Sequence, residues 1–206
     1  MPTVDLLFPS VVYTDKINLK QQWIDELKSE EVERSSTGNS WLSKINLHKK
    51  RKYRELMMLI DYHINLYTKD VMRFKKTINF ACCGAWTYVN DPGDWAQEHF
   101  HPNSMISGVL YLDVPPGSGC LRFPKDPHRT HTYGTLFNMD YIEEFNNLNA
   151  LNYDFVPERG TIYLFPSTLV HSVSINQSND VRYSFGFDYV PTGKVRTTTN
   201  EITINV

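Results

Sequence analysis

Five of the seven histidines fall between residues 99 and 171, and three of them could share one ion. In His99-Phe100-His101 the imidazoles alternate along the chain. On a strand, residues i and i+2 project to the same side, about 7 Å apart along the backbone, so two such rings can converge on a metal. A third ligand must come from elsewhere in the fold, and His171, in the apolar setting Leu-Val-His-Ser-Val, is the best candidate. A lone histidine there is more often a satisfied core residue; with an H-x-H upstream the ligand reading is preferred. Eleven residues beyond His171, Arg182-Tyr183-Ser184 puts a guanidinium and a hydroxyl on one face of the next strand. That pair suits a carboxylate, which takes two parallel N–H bonds from arginine and one O–H bond from serine. Phe185, Phe187 and Tyr189 occupy the alternate positions, which assigns Arg182, Ser184 and Gly186 together to the opposite face without saying which face is inside.

Holding such a site requires strands, and the second half of the chain supplies them. Ile78 to Asn90, Ile106 to Val114, the short Cys-Leu-Arg-Phe run, Gly160 to Pro166, Leu-Val-His-Ser-Val-Ser-Ile and Val181 to Val190 are apolar, β-prone runs separated by Gly, Pro and Asn-rich connections. This pattern predicts a sandwich or barrel. Residues 1–76 differ in texture and read as a helical N-terminal part, opened by one or two short extended pieces around Pro9, Val4 to Thr14. Asn18 followed by Gln21 has the form of a helix cap, opening a short helix through Trp23, Ile24 and Leu27. Ser35 to Ser40 reads as a loop. Tyr53, Leu56, Met57, Ile60, Ile64, Tyr67, Val71 and Phe74 then recur at gaps of three and four, one apolar stripe over about six helical turns. The domain organisation read from this is a single domain, 1–206: helical over 1–76, a β core over 78–206, and a long insertion over 126–154, of the kind that forms lids or binding loops. Tyr133, Phe137, Tyr141 and Phe145 are its candidate pocket walls, while His128 and His131 read as loop surface that could meet a substrate.

Composition narrows the class. At 206 residues, with 41% hydrophobic and 21% charged residues, the chain has the balance of a globular domain rather than of disorder. A formal net charge of −2 and the absence of a basic block give no support to a nucleic-acid partner. Three cysteines, two of them adjacent, make a poor disulfide framework and favour a reducing compartment. The opening residues lack a positive stretch and break their apolar run at Pro9, and no stretch reaches the length of a membrane span. The expectation is a soluble, cytoplasmic protein.

The combined order of HFHPNSMISGVLYLDVPPGSG, GTIYLFPSTLVHSV and VRYSFGF, with LFPSVVY near the start, resembles the 2-oxoglutarate and iron(II)-dependent oxygenase superfamily. More narrowly it is similar to an oxygenase family with the signature H-x-H-P, S-G-V-x-Y-L, L-F-P-S, H-x-V and R-x-S. The resemblance implies a mainly β fold with flanking helices, a double-stranded β-helix (jelly-roll) core and N-terminal helices packed on its major sheet. It also implies Fe(II), 2-oxoglutarate as co-substrate and O2. The metal ligands and catalytic centre are then His99, His101 and His171; Arg182 and Ser184 take the far carboxylate of 2-oxoglutarate, and Tyr88 or Tyr111 adds a hydrogen bond. Trp86 and Asn90 would flank the pocket. The reaction implied is oxidative decarboxylation to succinate coupled to hydroxylation of a small-molecule or peptide substrate, prolyl or amino-acid substrates by analogy.

The chain also departs from the superfamily, most of whose members hold iron with two histidines and one carboxylate. His101 stands where the carboxylate would be. Asn103 is the obvious competitor as third ligand, with Glu98 and Asp94 behind it. A three-histidine cupin-type metalloenzyme without 2-oxoglutarate, a zinc hydrolase and a non-enzymatic jelly-roll module are the rival readings. The first leaves Arg182 and Ser184 without a role, and the second lacks an evident general base. The tail RTTTNEITINV reads either as an edge strand that pairs with a second subunit in a homodimer or as a closing strand.

Overall fold

The structure is a computed structural model that describes residues 3, 5–6, 8–125, 143–196 and 199–206. In chain order the elements are β1 (Tyr13–Lys16), α1 (Gln21–Lys28), β2 (Val32–Arg34), β3 (Gly38–Asn39), β4 (Trp41–Ser43), α2 (Arg54–Asn65), β5 (Asn79–Asn90), β6 (Trp95–His99) and β7 (Ile106–Asp113). They continue with β8 (Leu121–Pro124), β9 (Asn152–Phe155), β10 (Thr161–Pro166), β11 (His171–Val173), β12 (Arg182–Arg196) and β13 (Glu201–Ile204). An eight-stranded sheet runs β1-β10-β7-β12-β5-β4-β2, with β13 paired to the end of β12, and a five-stranded sheet runs β3-β6-β11-β8-β9. Every strand pair is antiparallel. Two such sheets carrying helices on one flank form the expected jelly-roll core.

The period-two alternation of the central strands sorts their residues between two cores. Leu110 and Leu112 of β7, Ile162 and Leu164 of β10, and Phe185, Phe187 and Tyr189 of β12 face the helices. Trp23, Ile24 and Leu27 of α1 and Leu56, Met57, Ile60 and Ile64 of α2 close over them. Burying each of these side chains contributes about 1.5–3 kcal/mol, which fixes the helices on the major sheet. The opposite positions, Tyr111, Tyr163 and Phe165, turn inward toward the minor sheet and meet Leu121 and Phe123 of β8. Gly160 starts β10 with φ +82, and a Cβ there would lie 2.5 Å from the Ile17 carbonyl oxygen. That close approach lets Ile17 N–H donate to the Gly160 carbonyl at 2.7 Å and tie β1 to the sheet.

Several local expectations are corrected. The first 76 residues are not only helical, because β1, β2 and β4 extend the major sheet and β3 joins the minor one. Within the stretch read as a loop, Gly38 pairs with Ala96 and Asn39 with Trp95, since Gly38 alone allows the Trp95 backbone so near. Asn18 does not cap α1; Lys20 holds that position in extended conformation without a side-chain cap. The long stripe is interrupted by a π-helical turn, Leu66–Val71, in which Met72 N–H donates to the Tyr67 carbonyl at 2.9 Å. The extra residue rotates the stripe, burying Thr68 and leaving Val71 46% exposed. The tail folds back on its own chain, with Gly193 to Arg196 of β12 opposite Glu201 to Ile204 of β13. No described helix is long and apolar enough to cross a membrane.

Candidate active site

The two sheets enclose a cavity of ≈ 510 Å³ lined by His99, His101, His171, Arg182, Ser184, Tyr88, Tyr111, Trp86, Gly186 and Asp188, among others. His99 ends β6 and His171 begins the adjacent β11, and antiparallel register sets them directly opposite each other. His101 follows just beyond β6, held by a backbone bond from its N–H to the Ser167 carbonyl at 2.9 Å. Phe100, between the two, is half exposed and borders the cavity. Ring centroids are 4.3 Å apart for His99–His171, 5.2 Å for His101–His171 and 5.4 Å for His99–His101. One nitrogen from each ring lies within 4.8 Å of the others.

Hydrogen bonding decides which nitrogens are free. His99 Nδ1 is 2.7 Å from the Gln97 carbonyl, His171 Nδ1 is 3.0 Å from the Leu169 carbonyl, and His101 Nδ1 is 2.7 and 2.9 Å from the two carboxylate oxygens of Asp188. All three partners accept, so in the neutral ring each Nδ1 carries the proton and each Nε2 is the atom left with a lone pair. Three Nε2 donors of one tautomer, drawn from two segments, fit a divalent transition metal. Burial, with His99 beside it, pushes His171 down to about 3, and burial also lowers His99. Both rings therefore stay in the neutral, ligating form.

At the inner end of the cavity Arg182 is 1% exposed. One Nη donates to the Ser118 carbonyl at 2.5 Å and the other to Asn90 Oδ1 at 2.7 Å, while Nε is buried without a partner. Among the described residues no carboxylate pairs with it, and burial draws its pKa down. A guanidinium taken out of water with no counter-charge is costly unless an anion joins it. Ser184, two residues along the same face, and Tyr111, on the facing strand β7, also line the cavity, and neither hydroxyl has a hydrogen-bond partner among the described residues. These donors fit a carboxylate, and the geometry thus accepts both a metal and an acidic co-substrate.

The expected residues meet here, with differences of role. Tyr88 lines the cavity, but its hydroxyl accepts a bond from Ser40, so it is less free than Tyr111. Asn90 is fully buried behind Arg182, and Trp86 forms a wall beside His101 at 5.7 Å between ring centroids. Asn103 lies on the cavity wall, whereas Asp94 is turned toward Asp91 and Glu98 is exposed. Phe145 is exposed and does not line the cavity; His128, His131, Tyr133, Phe137 and Tyr141 lie outside the described residues. Asp188 was missed. Its signal was present, because 182, 184, 186 and 188 share one face of β12. A Cβ on Gly186 would sit 2.7–2.8 Å from three atoms of the Trp86 indole, so the glycine lets that ring lie flat on the sheet. Gly186→Ala is expected to force Trp86 aside and destabilise the fold by about 1–3 kcal/mol, the cost typical of overpacking. Thermal unfolding checks this, and an unchanged Tm contradicts it.

Comparison with known proteins agrees with this geometry. Residues 84–188 match the family model described as "Putative 2OG-Fe(II) oxygenase". No curated protein matches the chain. An oxidoreductase of the 2OG-Fe(II) oxygenase family from Burkholderia pseudomallei is 16% identical with a TM-score of 0.56, over 82% of this chain and 77% of that one. A Pseudomonas putida prolyl-4-hydroxylase is also 16% identical with a TM-score of 0.56, over 88% and 93%. HygX from Streptomyces hygroscopicus, solved with nickel and 2-oxoglutarate bound, is 10% identical with a TM-score of 0.60, over 89% and 84%. These likenesses establish the fold. The matched segment, running from β5 into β12, covers half the chain and contains every histidine of the cluster together with Arg182, and on that ground the chain belongs to the 2OG-Fe(II) oxygenase family, enzymes that work with iron(II) and 2-oxoglutarate.

Proposed function

We propose that His99, His101 and His171 hold ferrous iron through Nε2, that Arg182 and Ser184 take the far carboxylate of 2-oxoglutarate, and that the enzyme hydroxylates a substrate C–H bond. When bound, iron and 2-oxoglutarate supply the oxidation: O2 is consumed, the keto acid becomes succinate and CO2, and one oxygen atom goes to the substrate. The observation that carries this reading is the buried, uncompensated Arg182 facing the same cavity as three clustered imidazoles. Arg182 fixes the co-substrate by charge and fork geometry, with Ser184 and Tyr111 as further donors. Leu121, Phe165 and Val173 wall the cavity with apolar surface that excludes water. Asp188 is the one carboxylate among the described lining residues, and it is engaged with His101 and Ser107. That leaves a zinc hydrolase without a free general base.

Hydroxylation of a prolyl or amino-acid substrate is the form we favour. In support stand the fold shared with a prolyl-4-hydroxylase and a cavity bordered by the exposed apolar residues Ile45 and Phe100. The test is succinate release by the iron-loaded enzyme across prolyl peptides, other peptides and free amino acids, with mass spectrometry for a gain of one oxygen atom. Stimulation confined to the prolyl or amino-acid pools is expected; stimulation only by compounds of other classes overturns the substrate reading, and no 2-oxoglutarate turnover with any pool overturns the reaction.

A further inference from the structure

Three neutral imidazoles leave a ferrous site one negative charge short of a set with two histidines and a carboxylate. The structure places that charge one bond further out. His101, the ring at the position where a carboxylate ligand is otherwise expected, is the only one of the three whose Nδ1 meets an anion; His99 and His171 donate to neutral backbone carbonyls. Asp188 takes the His101 proton with both oxygens, at 2.7 and 2.9 Å, and no lysine or arginine pairs with it among the described residues.

The carboxylate is itself held. Ser107 Oγ donates to Asp188 Oδ1 at 2.6 Å and sits 3.1 Å from His101 Nδ1. Behind it the Ser107 and Ser167 hydroxyls are 2.9 Å apart, and Ser104 Oγ donates to Ser167 Oγ at 2.8 Å. Ser107 and Ser167 are fully buried. Backbone bonds lace the same segments: Ser167 N–H donates to the Met105 carbonyl at 3.1 Å, and Met105 N–H to the Tyr189 carbonyl at 2.9 Å. Buried, fully engaged polar networks of this kind are rigid and fix one arrangement. The serines of the S-G-V-x-Y-L and L-F-P-S stretches thus have a shared task that neither metal binding nor recognition of the keto acid assigns to them.

We infer that Asp188 is a positioning residue which, through His101, gives the metal the negative charge that a carboxylate ligand would have supplied, and that Ser107 and Ser167 hold it there. The inference rests on the reading of His99, His101 and His171 as the iron ligands. An imidazole whose N–H is drawn toward a carboxylate is a stronger donor at its other nitrogen, and loss of such an outer partner typically costs 10–100-fold in metal affinity.

The experiment is anaerobic Fe(II) titration against a chromophoric chelator, followed by the visible charge-transfer band after 2-oxoglutarate is added. Asp188→Asn keeps the shape and removes the charge. Its Fe(II) affinity is expected to fall about 10–100-fold. Its band should move to shorter wavelength, because iron with less electron donation gives up an electron less readily. Asp188→Glu should restore part of both. Ser107→Ala should shift both in the same direction by less, and it carries the test if Asp188→Asn does not fold. His101→Ala separates the two claims. If His101→Ala binds Fe(II) like the unsubstituted enzyme, the ligand assignment is wrong. If His101→Ala loses the metal while Asp188→Asn, or in its place Ser107→Ala, keeps both affinity and band unchanged, the role of Asp188 is overturned and the ligand assignment stands.

Discussion

Arg182→Gln should bind ferrous iron normally and lose 2-oxoglutarate. The guanidinium is buried in the cavity wall and donates only to two neutral acceptors, Ser118 and Asn90, so its charge is available to an incoming carboxylate. Breaking a buried ion pair by removing one partner costs about 3–5 kcal/mol. At 1.4 kcal/mol per decade, 2-oxoglutarate affinity falls roughly a hundred- to several-thousandfold. Glutamine keeps an amide donor for the surrounding acceptors, which limits collapse. The apoprotein should lose little stability or gain some, since it no longer buries an unpaired charge. Anaerobic titration of the iron-loaded variant reads the first effect and thermal unfolding the second. An unchanged affinity for the keto acid would remove Arg182 from the site.

The second large effect belongs to His171. Its ring is 5% exposed and packs against Phe123 and Phe165, with centroids 6.1 and 4.8 Å away. His171→Ala takes away the proposed ligand most firmly held neutral, and Fe(II) affinity should drop by more than the roughly 100-fold range seen for outer-sphere partners. Ligand binding to the folded state stabilises by about 2.7 kcal/mol at a free concentration 100 times Kd. For a domain of this size that raises Tm by about 5–10 °C. The unsubstituted protein should show this rise with Fe(II) under anaerobic conditions and His171→Ala should not. A variant whose Tm still climbs with iron would exclude His171 from the ligand set.

The sequence carried the parts of this site that obey short-range periodicity. His99 and His101 are two residues apart, and Arg182, Ser184 and Gly186 alternate with Phe185, Phe187 and Tyr189, so the face each occupies could be read once a strand was assumed. Which face is inside was settled only by packing, because the helices cover the aromatic side of β12. The joining of His171 to His99 depends on β11 lying beside β6, a contact across more than seventy residues that no local pattern encodes. Asp188 went unread for a related reason: its partner lies 87 residues away, and an aspartate between Phe187 and Tyr189 looks like an exposed strand position until the sheets close. The short strands β2 to β4 escaped because two or three residues give too little alternation to set them apart from a loop.

The role of β12 as a single extended carrier has a consequence for how this centre can vary. The buried guanidinium of Arg182 and the carboxylate of Asp188 stand on one side of an extended chain, with bulky rings packed on the other. Inserting or deleting one residue between them would send one of the two groups into the oily layer beneath. Without a bulge their separation therefore changes in steps of two residues, about 6.7 Å. A drifting lineage of such enzymes can retune walls and mouth freely, while the span between these two fixtures stays quantised.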